Sequence, residues 1–251
     1  MTRGAAMGVA LVTGASRGLG AVIAACLAAE GWDVAVNYHS DDEGARRVVE
    51  GIEAAGGKAL AAKADITDED GVRDLVEQVQ RELGTVGALI ANATGPQPEI
   101  PLERLTWRDQ LDQLEFFVKS PMLLAQAVLP GMKELGHGRI VQIGSDMAER
   151  ALPGWSAYTA AKSAQHGLTR VWARELGPLG ITVNLVAPGW IPVERHADAP
   201  EENRRGYVTD VPLRRFGRPE EVAAAVCFLA SEAGGFVNGE RLTVNGGHTI
   251  D

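Results

Sequence analysis

Cysteine is nearly absent: the 251 residues hold two, Cys26 and Cys227, each inside an apolar, helix-like stretch. With no Cys-x-x-Cys pair and no Cys/His ligand spacing, neither a zinc site nor a disulfide framework is expected, and both residues read as small buried hydrophobes. Long apolar runs are missing too. Nothing approaches the roughly 18 consecutive apolar residues that a membrane-crossing helix needs. The opening MTRGAAMGVALVTG runs into a glycine-rich motif without a cleavage-site pattern, so no signal peptide is expected and the cytoplasm is the predicted compartment. Positive charge is in deficit: 24 Lys and Arg against 33 Asp and Glu leave a formal net charge of −9. No basic field draws in a phosphate backbone or an anionic bilayer, which argues against nucleic acid and membrane as partners.

What is present is an alternation of short apolar runs with longer helical patterns. The chain is 45% hydrophobic and 23% charged, a balance that suits a soluble α/β domain with a sizeable core. Runs at 8–13, 32–37, 58–63, 86–91, 138–144, 180–186 and 241–245 read as strands. Helical patterns occupy 18–30, 41–55, 68–83, 106–134, 156–176 and 218–230, with Asp68 and Thr106 as N-caps and Gly84 and Gly177 as stops. Seven strands separated by helices imply right-handed crossovers and a parallel sheet covered on both faces. Residues 188–217 differ in texture: Pro188, Pro192, Pro200 and Pro212 among many charges predict a loop-and-helix flap. The chain therefore reads as one domain, 1–251, with a lid.

Thr13-Gly14-Ala15-Ser16-Arg17-Gly18-Leu19-Gly20 follows the first strand and opens the first helix. Glycines let the backbone turn tightly and approach a pyrophosphate, while the helix start offers free N–H groups and a positive dipole end. The spacing is Gly-x3-Gly-x-Gly, and its place between strand and helix points to a dinucleotide. An acid at the tip of the second strand would favour NAD(H) by binding the ribose hydroxyls. Here that tip reads Asn37-Tyr38-His39-Ser40, and the glycine loop carries Arg17, whose guanidinium can pair with a 2′-phosphate. NADP(H) is the predicted cofactor. In the alternative, NAD(H) binds, Arg17 is a solvated loop charge and Asp41 or Asp42 folds back to the ribose.

Ser145 closes the fifth strand, Tyr158 follows thirteen residues later, and Lys162 lies four residues beyond. On a helix, positions four apart share one face, so the phenol and the ammonium meet. A phenol is a poor acid near neutrality, with an unperturbed pKa of about 10. A nearby ammonium favours phenolate. Tyr158 then exchanges a proton with a carbonyl oxygen, Ser145 holds that oxygen by a hydrogen bond, and Lys162 reaches the nicotinamide ribose.

The whole chain resembles the short-chain dehydrogenases/reductases. The matching pieces are TGASRGLG (13–20), ADI (64–66), ANA (91–93), Ser145, YTAAK (158–162), APGWI (187–191) and NGERLTVNGG (238–247). The resemblance implies a single Rossmann-type doubly wound domain with a seven-stranded parallel sheet. It also implies that Asp65 and Ile66 flank the adenine, that Asn92 and Ala93 line the cleft, that Gly189 and Ile191 meet the nicotinamide amide, and that Pro188 belongs to the cofactor-binding set. Gly14, Ser16, Arg17, Gly18, Leu19, Gly20, Asn37, His39, Tyr158 and Lys162 complete the expected cofactor set; no metal is expected.

Three departures stand out. The family usually carries an asparagine in the long helix after the fourth strand. Counting forward from Trp107 places that position at Leu114, and counting back from Pro130 places it at Phe117, so the segment 107–130 reads as holding an insertion. Gln113 and Glu115 are the polar substitutes nearby, each read as part of a solvated helix face. The usual Asn-Ala-Gly appears as Asn92-Ala93-Thr94, with Gly95 one place late. After Gly189 the chain reads Trp190-Ile191-Pro192-Val193, where relatives often place a threonine.

The substrate is expected above the nicotinamide, near Asp146, Met147, Trp155 and Trp190, in a pocket suited to a medium-sized or ring-bearing carbonyl or alcohol. Arg214 and Arg215 read as solvated charges or as a greeting for an acidic substrate. Apolar residues around the two long helices (Phe116, Phe117, Met122, Leu123, Leu124, Leu168, Val171, Trp172) predict a covering partner and a homotetramer. The leading expectation is an NADPH-dependent carbonyl reductase in the style of 3-oxoacyl-carrier-protein reductases. The alternatives are an NAD-linked alcohol or sugar dehydrogenase, and a dinucleotide-binding regulator with weakened chemistry.

Overall fold

The computed structural model describes residues 7–197 and 200–250; the expectations that fall on 1–6 and on 198–199 of the flap lie outside them. Strands β1 (Val9–Val12), β2 (Asp33–Tyr38), β3 (Lys58–Lys63), β4 (Val86–Ala91), β5 (Gly138–Ile143), β6 (Ile181–Pro188) and β7 (Arg241–Val244) form one sheet. Every pairing is parallel, in the order β3-β2-β1-β4-β5-β6-β7. The helices are α1 (Gly18–Ala29), α2 (Asp42–Ala54), α3 (Glu69–Glu82), α4 (Trp107–Leu114), α5 (Ser120–Leu135), α6 (Met147–Arg150), α7 (Ser156–Leu176), α8 (Glu201–Asp210) and α9 (Pro219–Ala230).

Strand side chains alternate between two apolar layers. Ala10 and Val12 of β1 pack with α1, α2 and α9, whereas Val9 and Leu11 pack with α3, α5 and α7. Burial on both faces explains why these strands read as continuous apolar runs rather than alternating ones. The chain leaves β1 toward β2 on one side and toward β4 on the other. That reversal opens a crevice at the carboxyl ends of β1 and β4, the usual ligand position in such sheets.

Local chemistry follows the expected signals at several ends. Asp68 accepts from the Gly71 N–H at 2.7 Å, and Thr106 forms a reciprocal capping box with Asp109. The expected helix at 106–134 is broken, however. Between α4 and α5, residues Glu115–Lys119 form a π-helical turn. Among the described residues of 188–217, α8 and a 3-10 turn at Glu194–His196 are the helical pieces.

Of the apolar residues on the two long helical segments, Phe117 and Leu124 are consumed by the subunit's own core. Met122 and Val171 are exposed. Cys26 and Cys227 are free thiols facing each other between α1 and α9, with sulfurs 2.7 Å apart. Burial, and then its neighbour, pushes the Cys227 thiol up, so it stays protonated. Among the described residues no helix is long and apolar enough to cross a membrane. Nor does any group of three or more His, Cys, Asp or Glu side chains there gather as a metal would require.

Candidate active site

Backbone hydrogen bonding builds the crevice floor. Thr13, buried at the end of β1, accepts from the Asn92 and Ala93 N–H groups, both at 3.0 Å. This draws the loop after β4 against the glycine loop. Asn92 Nδ2 donates to the Thr13 and Gly14 carbonyls, and Asn37 Oδ1 accepts from the Gly14 N–H. Asn37 also donates to the Ala62 and Ala64 carbonyls. Both asparagines, expected as cofactor contacts, turn their amides to the backbone and brace the loop. Thr13 was missed by motif reading because its hydroxyl acts across residues far apart in sequence.

The glycine spacing has a geometric reason. Gly14 has φ +61°, and a Cβ on it would stand 2.7 Å from Ala93 Cα. One on Gly20 would stand 2.3 Å from the Gly14 carbonyl oxygen. No side chain larger than hydrogen fits, and the backbone forms a shallow cradle at the start of α1. Arg17 is the N-cap of α1 with an exposed side chain, and no acidic residue lies in that helix's first turn. Such a cradle fits a pyrophosphate.

Both candidate acids are engaged by groups of the protein itself. Asp41 accepts from the Gly44 N–H at 2.9 Å and caps α2. Asp42 accepts from Lys63 at 3.1 and 3.2 Å and from Tyr38 at 3.0 Å, which together hold its carboxyl below the usual range. Asp65 is pushed up by partial burial, but Thr67's hydroxyl and N–H, with His39 and Lys119 nearby, pull it lower overall. Ile66 is buried beneath that loop. His39 is exposed beside it.

At the carboxyl end of β5 the three candidate catalytic residues converge. Ser145 is 9% exposed, and its Oγ accepts from the Met147 N–H at 3.2 Å, leaving the hydroxyl proton to donate elsewhere. Tyr158 and Lys162 share one face of α7 and are both buried. The Lys162 ammonium donates to the Ile143 carbonyl at 2.7 Å, which ties α7 to the strand that presents Ser145. Trp155 meets the Tyr158 ring edge-on at 5.8 Å.

The structure settles where the helix departures fall. Phe117 faces the lysine, with its ring centroid 3.8 Å from Lys162 Nζ, and Leu114 packs against the same cluster. The π turn sits where the two sequence counts diverge. Gln113 is buried and donates to the Pro96 carbonyl at 2.9 Å, which corrects its reading as a solvated side chain. Glu115 pairs with Arg108 on the surface. Gly95 leaves room for the Phe116 ring, since a Cβ there would stand 2.5 Å from it. Val193 and Glu194 lie over Gly18, within 3.6 and 3.4 Å of its absent Cβ.

Asp146 is another correction. Rather than facing a substrate, it is 1% exposed and turned toward His248 at 3.4 Å and Asn245 at 3.5 Å. Burial pushes its carboxyl up, against the pull of Arg150 and His248. The flap docks through aromatics. Tyr207 of α8 accepts from the Trp190 N–H at 2.7 Å, stacks on Phe216 and meets His248 edge-on. Pro188 ends β6, Ile191 is buried in the core, and Gly189 has no room for a Cβ against the Tyr207 hydroxyl. Arg215 is held by Glu221. Tyr207, Phe216 and His248 carried no spacing signal, since their partners lie on separate segments.

Comparison with known proteins gives a consistent pattern. A family model described as enoyl-(acyl carrier protein) reductase matches residues 14–249. The chain is 38% identical to the 3-oxoacyl-[acyl-carrier-protein] reductase FabG of Staphylococcus aureus, over 95% of this chain and 96% of that one. It is 40% identical to a gluconate 5-dehydrogenase of Gluconobacter oxydans, over 96% of this chain and 94% of that one. Among solved structures, a double mutant of a Serratia marcescens short-chain dehydrogenase/reductase superposes with a TM-score of 0.92 at 37% identity, covering 98% of this chain and 99% of that one. A blue fluorescent protein from a metagenomic library, in complex with NADPH, does so at 0.91 and 39% identity, with the same coverage.

Proposed function

Because the chain belongs to the short-chain dehydrogenase/reductase family of NAD(P)-dependent oxidoreductases, we propose that it reduces a carbonyl compound with NADPH, with 3-oxoacyl thioesters as the leading substrate class. The observation that carries this reading is the hydrogen bond from Lys162 to the Ile143 carbonyl, which ties the helix of Tyr158 and Lys162 to the strand that leads into Ser145. The capture of Asp41 by α2 and of Asp42 by Lys63 supports NADPH, since neither acid is left to repel a 2′-phosphate near Arg17.

Gly14, Ser16, Arg17, Gly18, Leu19 and Gly20 would hold the pyrophosphate side and Asp65, Ile66 and His39 the adenine side, with Asn37 and Asn92 bracing the loop. Ala93, Pro188, Gly189 and Ile191 would border the nicotinamide. The bound cofactor supplies a hydride. Tyr158 donates its phenolic proton to the carbonyl oxygen as negative charge gathers there. Ser145 donates a hydrogen bond to the same oxygen and orients it. Lys162 keeps a positive charge beside the phenol, which eases proton loss. The segment 188–217 acts as a lid over the substrate, whose docked aromatics exclude water.

Met122 on α5 and Val171 on α7 leave apolar surface exposed, which supports a homotetramer assembled through these helices. The likeness to a gluconate 5-dehydrogenase supports a second reading, an alcohol or sugar dehydrogenase, for which NAD is the alternative cofactor. Steady-state rates with each cofactor separate the two, and a clear NADH preference overturns the first.

The central test is Tyr158→Phe on a panel of ketones, acyl thioesters and quinones. Turnover with NADPH is expected to fall by roughly 100-fold or more, with NADPH affinity held. If the unaltered protein turns over nothing in the panel yet binds NADPH, the chain is a dinucleotide-binding module and the reductase reading fails.

A further inference from the structure

One phenyl ring touches both members of the proposed proton-transfer pair. The Lys162 ammonium lies 3.8 Å from the Phe117 ring centroid, and the same ring meets Tyr158 edge-on at 5.4 Å and 88°. Phe117 is 2% exposed and Lys162 4%. An ammonium withdrawn from water is costly unless something replaces its hydration. The Ile143 carbonyl takes one N–H at 2.7 Å, and the negative face of the ring lies against the charge.

The backbone is shaped to make this contact. Residues Glu115–Lys119 form a π turn, closed by the Ser120 N–H on the Glu115 carbonyl, with the Ser120 hydroxyl donating to the same oxygen at 2.9 Å. A π turn holds about one residue more than an α turn, which rotates the following faces by roughly 100°. Charged groups on the neighbouring elements make contacts of their own. Glu149 of α6 pairs with Arg241 and His166, Asp146 with His248, and Lys119 acts on Asp65.

We propose that Phe117 is the positioning residue of Lys162: its ring face holds the ammonium toward Tyr158 and seals that side from water. The assignment rests on the reductase reading for the role of Tyr158, while the ring–ammonium contact can be tested without turnover. Phe117→Leu keeps an apolar side chain but removes the ring face, and Phe117→Tyr restores it. Should the leucine variant fail to fold, Phe117→Met takes its place, since its flexible chain fills the same gap.

The first measurement is ultraviolet titration of phenolate in the cofactor-free protein. With three tyrosines in the chain, subtracting the matching Tyr158→Phe protein for each variant isolates Tyr158. Loss of the ring is expected to move that titration to higher pH by roughly half to one unit, because the ammonium is no longer held beside the phenol. Restoring the ring is expected to return it. The second measurement is the pH profile of kcat/KM with NADPH. Phe117→Leu is expected to lower kcat/KM by roughly ten-fold, with the alkaline limb moving the same way. A folded leucine or methionine variant whose Tyr158 titration stays in place overturns the assignment and leaves Phe117 as packing. Absence of turnover in the unaltered protein overturns the reductase reading instead, and the titration still decides the role of Phe117.

Discussion

At the scale of single residues, the glycine cradle and the guanidinium beside it make separate predictions. A Cβ on Gly20 would press on the Gly14 carbonyl and, at 2.6 Å, on Asn92 Nδ2, and both are backbone-braced. Gly20→Ala is therefore expected to weaken dinucleotide binding by roughly ten-fold or more and to lower Tm, read by cofactor titration and thermal melting. Arg17 is solvated at the helix start, so Arg17→Gln is expected to leave Tm in place. Its effect falls on cofactor choice: kcat/KM with NADPH drops by about 10- to 100-fold while the NADH value stays nearly constant. An equal loss with both cofactors would refute a 2′-phosphate role. These residues were legible because a strand, a glycine spacing and a helix start are local features. Phe117 was legible only as one of two positions, with Leu114, because a π turn shifts the count within its own helix. The partner of Asp146 was hidden, since His248 reaches it from the far end of the chain.

At the scale of elements, β-strands and long amphipathic helices were read within a residue or two of their ends, since capping and apolar burial fix both. The flap was read only as a texture, because what orders it is aromatic contact between α8, the segment after β6 and the C-terminal turn. Among its polar latches is the Tyr207 hydroxyl, which accepts from the Trp190 N–H at 2.7 Å. Tyr207→Phe keeps the stack on Phe216 and strands that N–H, at a cost of about 1–3 kcal/mol. Under the lid role proposed for this segment, KM for the carbonyl substrate is expected to rise while KM for NADPH holds. A change in the cofactor KM alone would place α8 outside the substrate lid.

For the molecule as a whole, acid and base act on stability with opposite signs. Glu221 is brought down to about 2 by its hydrogen bonds to Arg215 and to the Arg218 backbone. That contribution is present above the ordinary carboxylate range and is lost as pH falls through it toward about 2; at an exposed site it is small. Asp146 behaves in reverse. Burial lifts its carboxyl, so the folded state holds the proton more tightly than the unfolded chain, and stability declines as pH rises above the ordinary carboxylate value through the raised one. Asp146→Asn removes this slope. The Tm difference between variant and unaltered protein is expected to grow in the variant's favour from acid to neutral pH, and a flat difference would show that Asp146 is not titrating against burial.

The seven-stranded parallel sheet was the most legible feature at this scale, because seven strands separated by helices imply right-handed parallel crossovers. The docking of the C-terminal turn against the loop after Ser145 was the least legible. It carries a practical consequence for handling the protein. Asn245 and His248 sit against Asp146, so an affinity tag fused at the carboxyl end would pull on the neighbour of the serine hydroxyl.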